Sequence, residues 1–586
     1  MKEISIFVLG PSALPTAQQI KATIGGLIHG PAGLDGCDLN FEKAAHAIAR
    51  AFSLRHPVVG ICASGILIRS IAKSVKDKRH EAPVIAVAED GSSIVPLVGG
   101  HAGGNDLARK IADATKGHAA ITTASDVVFG DSMDEPIGAT LANKGDHKAA
   151  AAARLRGEDV TQEITIYRKI GGPKHLVYHP NTLAVGIGCE RGADPAEVKQ
   201  LLNDTLAKHD IAEQSIFQYA SIDLKEDEAA IEQFGNTFFF TAEQLRAETH
   251  RITSPSTIVE AEVGTPSVAE AAALALVGPN GKLIVPKTKS KRATIAIAQA
   301  ANFDDFQNHE GKRRGHISLV GIGPGRSGMM TPDVDFELWF STEWVGYSLY
   351  LDLVENLRNG QTRHDFSLGD EEARCRHAIE LAKQGKRVAL VCSGDAGIYA
   401  MAALVYELID REPNRIKVEV HPGISAFQAA SAKAGAMIGH DFCCISLSDL
   451  LTPWEAIEKR IRAAAEGDFV ISFYNPRSLK RRDQLERAFA ILKDHRPADT
   501  PVVVASNLGR PEENVRIRKF SEFNPEEVDM LTLVMVGSSQ SKSITRGDGK
   551  TYAYTPRGYA KKMEAAYSAQ VADWGDKNKR KWETLP

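Results

Sequence analysis

The 586 residues include only seven cysteines, and no Cys-x-x-Cys pair occurs among them, although Cys443 and Cys444 are adjacent. That excludes a disulfide-built scaffold and the usual spacing of structural zinc, so no metal site is expected, and it suits a reducing compartment. Positive charge is not in excess: 70 Lys and Arg against 74 Asp and Glu leave a net charge of -4. Nucleic-acid binding as a main task needs a strongly basic face, so no nucleic-acid partner is expected. No stretch approaches ~18 uninterrupted apolar residues, which leaves no expected membrane span. The opening MKEISIFVLGPSALP has an apolar run too short for a secretory core, and its Gly-Pro break suits a first strand. A cytoplasmic protein is the expectation. Short-period repeats are absent too, which argues against a solenoid.

What is present is ordinary globular material, 43% hydrophobic and 25% charged, in a chain too long for one core. At about 150 residues per domain, three or four units are expected. Strand and helix patterns alternate almost throughout, as in parallel sheets covered by helices. Ile4–Leu9, Val58–Cys62, Val84–Ala88 and Ile94–Val98 are strand candidates, and GGHAGGNDLARKIADAT is a glycine-rich turn opening a helix. Residues 141–160, rich in alanine and charge, break the rhythm and suggest a boundary or a loose connecting helix. A second unit starts at Leu183. Asp194 is its candidate N-cap, with Pro195 at the first helical position and Glu197 completing a capping box. Ser267 and Glu270 suggest another box. The polar segment 302–314 is the best linker. The expected organisation is therefore 1–130, a short middle region 131–182, 183–301, the linker 302–314, a last unit 315–560 and a tail 561–586.

Four strand-to-turn junctions in the last unit carry the chemistry: GIGPG (321–325), CSGDAGIY (392–399), HPGISAFQAA (421–430) and FYNPRS (473–478). In open α/β sheets such turns line a common cleft at the carboxyl ends of the strands. No Gly-Lys-Ser/Thr follows GIGPG, so a Walker A loop is excluded, and Arg326 in the sixth position breaks the dinucleotide fingerprint. A tight structural turn remains the alternative. Asp395, in a Gly-flanked turn, suits hydrogen bonds from ribose hydroxyls or an amine; its other reading is an N-cap for a helix containing Ile398–Ile409. Ser425 reads first as a cap whose backbone, with Ala426, still meets a ligand.

In order, GIGPG, SGDAGIYAMA, PGISA, FYNPRS and SNLGRPEE resemble the tetrapyrrole methylase family over roughly residues 314–560, and FYNPRS and SNLGRPEE resemble its branch that methylates carbon 17 of precorrin-3B. The usual Gly-Gly-Asp-Pro is Ser393-Gly394-Asp395-Ala396 here. The resemblance implies S-adenosyl-L-methionine as cofactor, a cleft between two α/β halves, a precorrin substrate, ring contraction and a homodimer through this unit. It implies cofactor contacts at Pro324, Ser393, Gly394, Asp395, Ile398, Ser425, Ala426, Asn475 and Leu508. Asn475 stands where many relatives carry Met. The substrate's many carboxylates call for fixed positive charge, and Arg326 and Arg477 are the candidates, since guanidinium pairs carboxylate bidentately. The runs Lys312–Arg314 and Lys480–Arg482 are read as solvated faces. Ring contraction requires proton movement; His421 is a candidate, with Asp370 and Arg477 behind it and a structural histidine as the alternative.

The first 300 residues resemble the cobalamin-biosynthesis protein CbiG: GICASGILIRS and VPLVGGHAGGND its N-terminal domain, LAVGIGCERG and VGTPSVAEAAAL its C-terminal domain and the related CobE. The fold class that follows is α/β and multidomain, with CbiG-like domains ahead of a two-lobed methylase fold. Full-length CbiG relatives open a lactone and release acetaldehyde, so a second hydrolase activity or a non-catalytic tetrapyrrole-binding module are the alternatives for this half. GGHAGGND suits an anion at a helix start or a tight structural turn equally. Glu262 and Glu270 are acid/base candidates, against solvent-facing or capping roles. Lys287, Lys289, Lys291 and Arg292 are candidates for substrate carboxylates, against a solvated loop.

Overall fold

The computed structural model describes residues 4–559, apart from 42, 54, 76–80, 101–102, 123–137, 236, 303–304, 307–308, 326, 359 and 479–481. The expected Arg326 contact, Lys480 and Arg481 of the second basic run, and the tail lie outside these residues. The chain is a multidomain α/β protein. Among the described residues, no helix is long and apolar enough to cross a membrane.

The first sheet runs in the order Leu39–Phe41, Leu27–Pro31, Ser5–Val8, Val58–Ile61, Val84–Val87, Ser93–Val98, His118–Ala119. Its neighbours are parallel except for Val84–Val87 against Ser93–Val98. The unbroken apolar runs of Ser5–Val8 and Val58–Ile61 fit strands buried on both faces. Gly104 of the GGHAGGND turn donates its N–H to the Gly99 carbonyl at 3.0 Å, which closes a tight structural turn ahead of the helix Gly104–Thr115.

His29 is stacked on Phe7 at 4.5 Å within this core and is 7% exposed. Burial, reinforced by the nearby His56, lowers its pKa to about 4 from the ordinary imidazole value. As pH falls the unfolded chain therefore takes up the proton first. The native state keeps its advantage above about pH 6.5 and loses about 3 kcal/mol on descent to about pH 4. Urea melts at pH 7 and pH 4.5 should show this loss in the native sequence and a smaller one in His29→Phe.

Residues 141–160 are not a loose connector. The helix His147–Leu155 buries Ala150 against Leu141, Leu176 and Tyr178 of a small sheet, Ala139–Leu141, His175–Pro180 and Thr161–Ile164. The next sheet has the order Lys282–Lys289, Ala293–Gln299, Leu183–Cys189, Ile216–Ile222, Thr237–Phe240, Lys312–Arg313. Its last strand comes from the expected linker and pairs antiparallel with Thr237–Phe240. The basic run there is only partly a solvated face: Arg313 is exposed, but all three side chains have partners. Lys312 pairs with Glu226 at 3.0 Å, Arg313 lies over the Phe238 ring, and Arg314 meets Glu232 at 3.0 Å and the Arg415 carbonyl at 2.8 Å.

Two capping expectations also change. Asp194 does cap the helix Pro195–Lys208, accepting the Ala196 N–H at 2.9 Å. Glu197, however, turns away to accept from Ser290 Oγ and the Arg292 N–H, because those donors reach it from the neighbouring hairpin. Glu270 is fully buried and accepts from the Thr253 N–H and hydroxyl, the Ser254 N–H and the Lys287 N–H. It is a buried staple rather than an acid/base group or a cap, while Glu262 is exposed. Burial alone would raise the Glu270 pKa, but those N–H donors outweigh it and hold the carboxyl below the usual range. The carboxylate therefore stabilises this unit at neutral pH, and the contribution is lost as pH falls through the lowered value. Glu270→Ala should cost about 3 kcal/mol or more by stranding buried donors, readable as a lower urea midpoint at pH 7. Lys287 and Arg292 are also committed, to the Ser254 carbonyl and to Glu190 with the Arg191 and Gly192 carbonyls.

Besides a small three-stranded sheet in the order Gly435–Ala436, Thr551–Tyr554, Lys542–Thr545, the last unit has two five-stranded sheets. One is wholly parallel, in the order Thr362–Phe366, Glu343–Tyr347, Arg387–Cys392, His316–Gly321, Lys417–His421. The other is mixed, in the order Phe442–Ser446, Val470–Tyr474, Thr532–Val536, Pro501–Ser506, Asn514–Lys519. The helix Ala426–Ala434 leads from one to the other and packs on the second sheet. The first unit meets the first lobe through Arg50, which pairs with Asp335 at 2.9 Å and lies over Trp339.

Candidate functional site

Strand register brings the chemistry-bearing turns together. His316–Gly321 lies between Arg387–Cys392 and Lys417–His421, with Gly321 opposite Cys392 and Val320 opposite His421. Three parallel strands thus end level, and the turns that follow, 322–325, 393–398 and 422–425, emerge side by side.

Glycine lets those turns touch backbone to backbone. Gly323 and Gly394 exchange both hydrogen bonds, at 3.1 and 2.8 Å. A Cβ on Gly423 would stand 2.1 Å from the Gly394 oxygen and 2.3 Å from the Gly321 oxygen. Asp395 ties the turns laterally: one carboxylate oxygen accepts the Gly397 N–H at 2.8 Å, the other the Gly423 N–H at 3.1 Å. It is not the cap of the following helix. That helix begins at Met401 with Ala400 as its N-cap, so Ile398 sits in the turn before it. Tyr399, at φ +51°, breaks the helical path there. Ser425 does stand at the N-cap of Ala426–Ala434, and its N–H donates to Gln428 Oε1 at 2.9 Å.

The second lobe faces this edge. Val470–Tyr474 and Pro501–Ser506 both run antiparallel to Thr532–Val536, so their carboxyl ends lie on one side. Tyr399 Oη donates to the Cys444 carbonyl at 2.9 Å, and its ring lies 5.2 Å from that of Tyr474. Leu508 packs in one apolar cluster with Phe427, Ile398, Ala426 and Tyr474. Arg510 reaches across to the Pro324 carbonyl at 3.2 Å and Ser393 Oγ at 3.3 Å. A cavity of about 510 Å3 opens beside the Asp395 turn, lined by Gly397, Ile398, Tyr399, Ala403, Phe427, Phe442 and Cys444 among others. Burial pushes the Tyr474 phenol up to about 12, and raises Tyr399 and Cys444 as well, so these walls stay neutral.

Pro324, Ser393, Gly394, Asp395, Ile398, Ser425, Ala426 and Leu508 therefore gather at one inter-lobe edge. Asn475 stands at the end of Val470–Tyr474, exposed, at φ +48°, with Nδ2 donating to Ser446 Oγ at 3.1 Å. His421 ends its strand with a buried Nε2 that has no hydrogen-bond partner among the described residues. Arg477 is drawn elsewhere, to Glu526 at 2.8 Å and the Pro525 carbonyl at 2.9 Å. Asp370 is exposed ahead of the helix Glu371–Lys383. No cluster of three potential metal ligands occurs among the described residues. Sequence reasoning missed Arg510 and the aromatic wall of Tyr399, Phe427 and Phe442. The lone cation between Gly509 and Pro511 in SNLGRPEE was the available signal for the first.

The two lobes, joined across this edge by Tyr399 and Arg510, define a two-lobed α/β protein with a ligand-sized cavity beside the 397–400 turn. Residues 316–524 match the tetrapyrrole (corrin/porphyrin) methylases, residues 183–298 the C-terminus of cobalamin synthesis G, and residues 46–126 its N-terminal region. A probable cobalt-factor III C(17)-methyltransferase of Salmonella typhimurium is 46% identical over 243 residues, 42% of this chain and 99% of that protein. A precorrin-3B C(17)-methyltransferase of a Sinorhizobium species is 41% identical over 249 residues, 42% of this chain and 98% of that protein. The cobalamin biosynthesis protein CobIJ of Mycobacterium tuberculosis (strain H37Rv) is 42% identical over 273 residues, 45% of this chain. The chain spans about half of that relative, 53% of its length. The chain belongs to the tetrapyrrole methylase family.

Proposed function

We propose that this chain is an S-adenosylmethionine-dependent C-methyltransferase of cobalamin biosynthesis, acting on carbon 17 of precorrin-3B or its cobalt-bearing counterpart with ring contraction to the precorrin-4 level. The observation that carries the reading is the convergence of the 322–325, 393–398 and 422–425 turns on the second lobe, in a region similar to C(17)-methyltransferases over nearly their whole length.

The cleft fits the cofactor. Backbone packed at glycines leaves room for close approach, and the adjoining cavity, which Ile398 lines, lies within the usual range of about 300–1,000 Å3 for small-molecule sites. Ser393, Gly394 and Asp395 would hold the ribose and amino-acid portion, Pro324, Ile398, Ser425, Ala426 and Asn475 would line it, and Leu508 would meet the adenine. Asp395 has about two acceptor sites left after its two N–H bonds. When bound, the cofactor supplies a methyl group on a sulfonium, an excellent leaving group. The chain's own task is alignment of two partners, worth up to ~7–11 kcal/mol where geometry is tight. The aromatic residues Tyr399, Phe427 and Phe442 would give the cavity an uncharged, apolar lining. We assign the proton exchange of the contraction to His421, whose buried Nε2 has no hydrogen-bond partner among the described residues.

The same reading includes a homodimer through the last unit, a cytoplasmic location, and residues 1–301 as CbiG-like domains ahead of the methylase. The matches at 46–126 and 183–298 favour one second reading, tetrapyrrole binding or lactone hydrolysis by that half; acetaldehyde release from a cobalt-precorrin lactone distinguishes hydrolysis from binding. The main reading is tested by mass spectrometry and NMR of the product from purified protein, S-adenosylmethionine and precorrin-3B. One added methyl at carbon 17 with a contracted ring is expected; transfer to another carbon, or none, contradicts it.

A further inference from the structure

The two arginines expected to meet substrate carboxylates leave that place open, since Arg326 lies outside the described residues and Arg477 is paired with Glu526. A different guanidinium stands in the cleft. Arg510 follows a turn held by left-handed Asn507 and Gly509. Glu513 fastens that turn by accepting the Gly509 N–H at 2.7 Å. The Arg510 stem passes over Gly325, where a Cβ would come within 2.6 Å of its Cγ. Its Nε donates to the Pro324 carbonyl and its Nη2 to Ser393 Oγ, and its charged end lies 6.0 Å from the Tyr350 ring centre.

Each of these partners is neutral. Among the described residues no carboxylate pairs with Arg510, unlike Arg363, Arg376 or Arg477 in the same unit. A half-buried cation without a counter-charge is costly until an anion arrives. Arg510 also keeps donors free, since a guanidinium offers five N–H groups and two nitrogens here make one bond each.

We propose that Arg510 is a carboxylate-binding residue of this cleft, receiving an anionic group beside Tyr350; this rests on the functional reading above. The carboxylate belongs either to the macrocycle's acetate and propionate arms or to the amino-acid end of the methyl donor. Calorimetric titration of the full chain and of Arg510→Gln with S-adenosylhomocysteine and with 5′-methylthioadenosine, which lacks that carboxylate, separates the sources. If the donor's carboxylate is bound, Arg510→Gln weakens S-adenosylhomocysteine about ten- to hundredfold and spares methylthioadenosine. If the macrocycle's is bound, both nucleosides bind as before and the KM for precorrin-3B rises by that factor, with kcat little changed. Arg510→Lys, which keeps the charge and loses the fork, should fall between, and melting temperatures check that both variants fold. Equal weakening of the two nucleosides, or no change in any of the three measurements, overturns the proposal. Failure of the unmodified chain to bind S-adenosylhomocysteine would instead overturn the functional reading.

Discussion

Gly423→Ala is expected to abolish binding of S-adenosylhomocysteine and to lower the melting temperature of the last unit by about 6–12 °C. The added carbon would lie 2.1 and 2.3 Å from two carbonyl oxygens, far inside contact distance. Both atoms are backbone, in turns tied to each other by the Gly323–Gly394 bridge, so neither can move alone. Overpacking usually costs about 1–3 kcal/mol, and a clash against fixed backbone belongs at or above the upper end. For a large domain about 3 kcal/mol corresponds to the shift stated. Gly547→Ala is the control: nothing lies within 4 Å of its would-be Cβ and it should leave both melting and binding unchanged. Scanning calorimetry and titration calorimetry on the two variants check both parts.

Asp395→Ala is expected to reduce kcat/KM about a hundredfold while leaving the fold intact. Two N–H groups, of Gly397 and Gly423, lose a charged acceptor. Bonds to ionised groups contribute about 1.5–3 kcal/mol each, and part of that is recovered by water at this half-open edge. The remaining loss of about 3 kcal/mol falls on the placement of the 393–398 turn against the 422–425 turn. Asp395→Asn, which keeps one acceptor, should retain more activity than the alanine variant. Steady-state kinetics with precorrin-3B and a circular dichroism melt separate loss of placement from loss of fold.

Local features of the chain gave away the strand-end turns, because His316–Gly321, Arg387–Cys392 and Lys417–His421 each end at or within two residues of a glycine and parallel strands must end on the same side. The alternation of elements and the start of the last unit's first strand at His316 were legible too. Features decided by distant partners were not. Lys312 and Arg313 look like a polar linker until Thr237–Phe240 is found beside them. Glu270 looks like a helix-cap partner until the 253–254 turn and Lys287 close around it. Ile398 fits the helical pattern, yet the left-handed Tyr399 postpones the helix to Met401. Arg477 and Arg510 are equally cationic in sequence; only the fold pairs one with Glu526 and leaves the other facing the turns of the opposite lobe.

The account stands on the inter-lobe edge being where the methyl donor sits. A crystal structure of the protein grown with S-adenosylhomocysteine tests that directly. Density for the ligand against Gly394, Asp395, Ala426 and Leu508 is the predicted result. A ligand seated away from those turns, or a cleft that stays empty at saturating concentration, would contradict it.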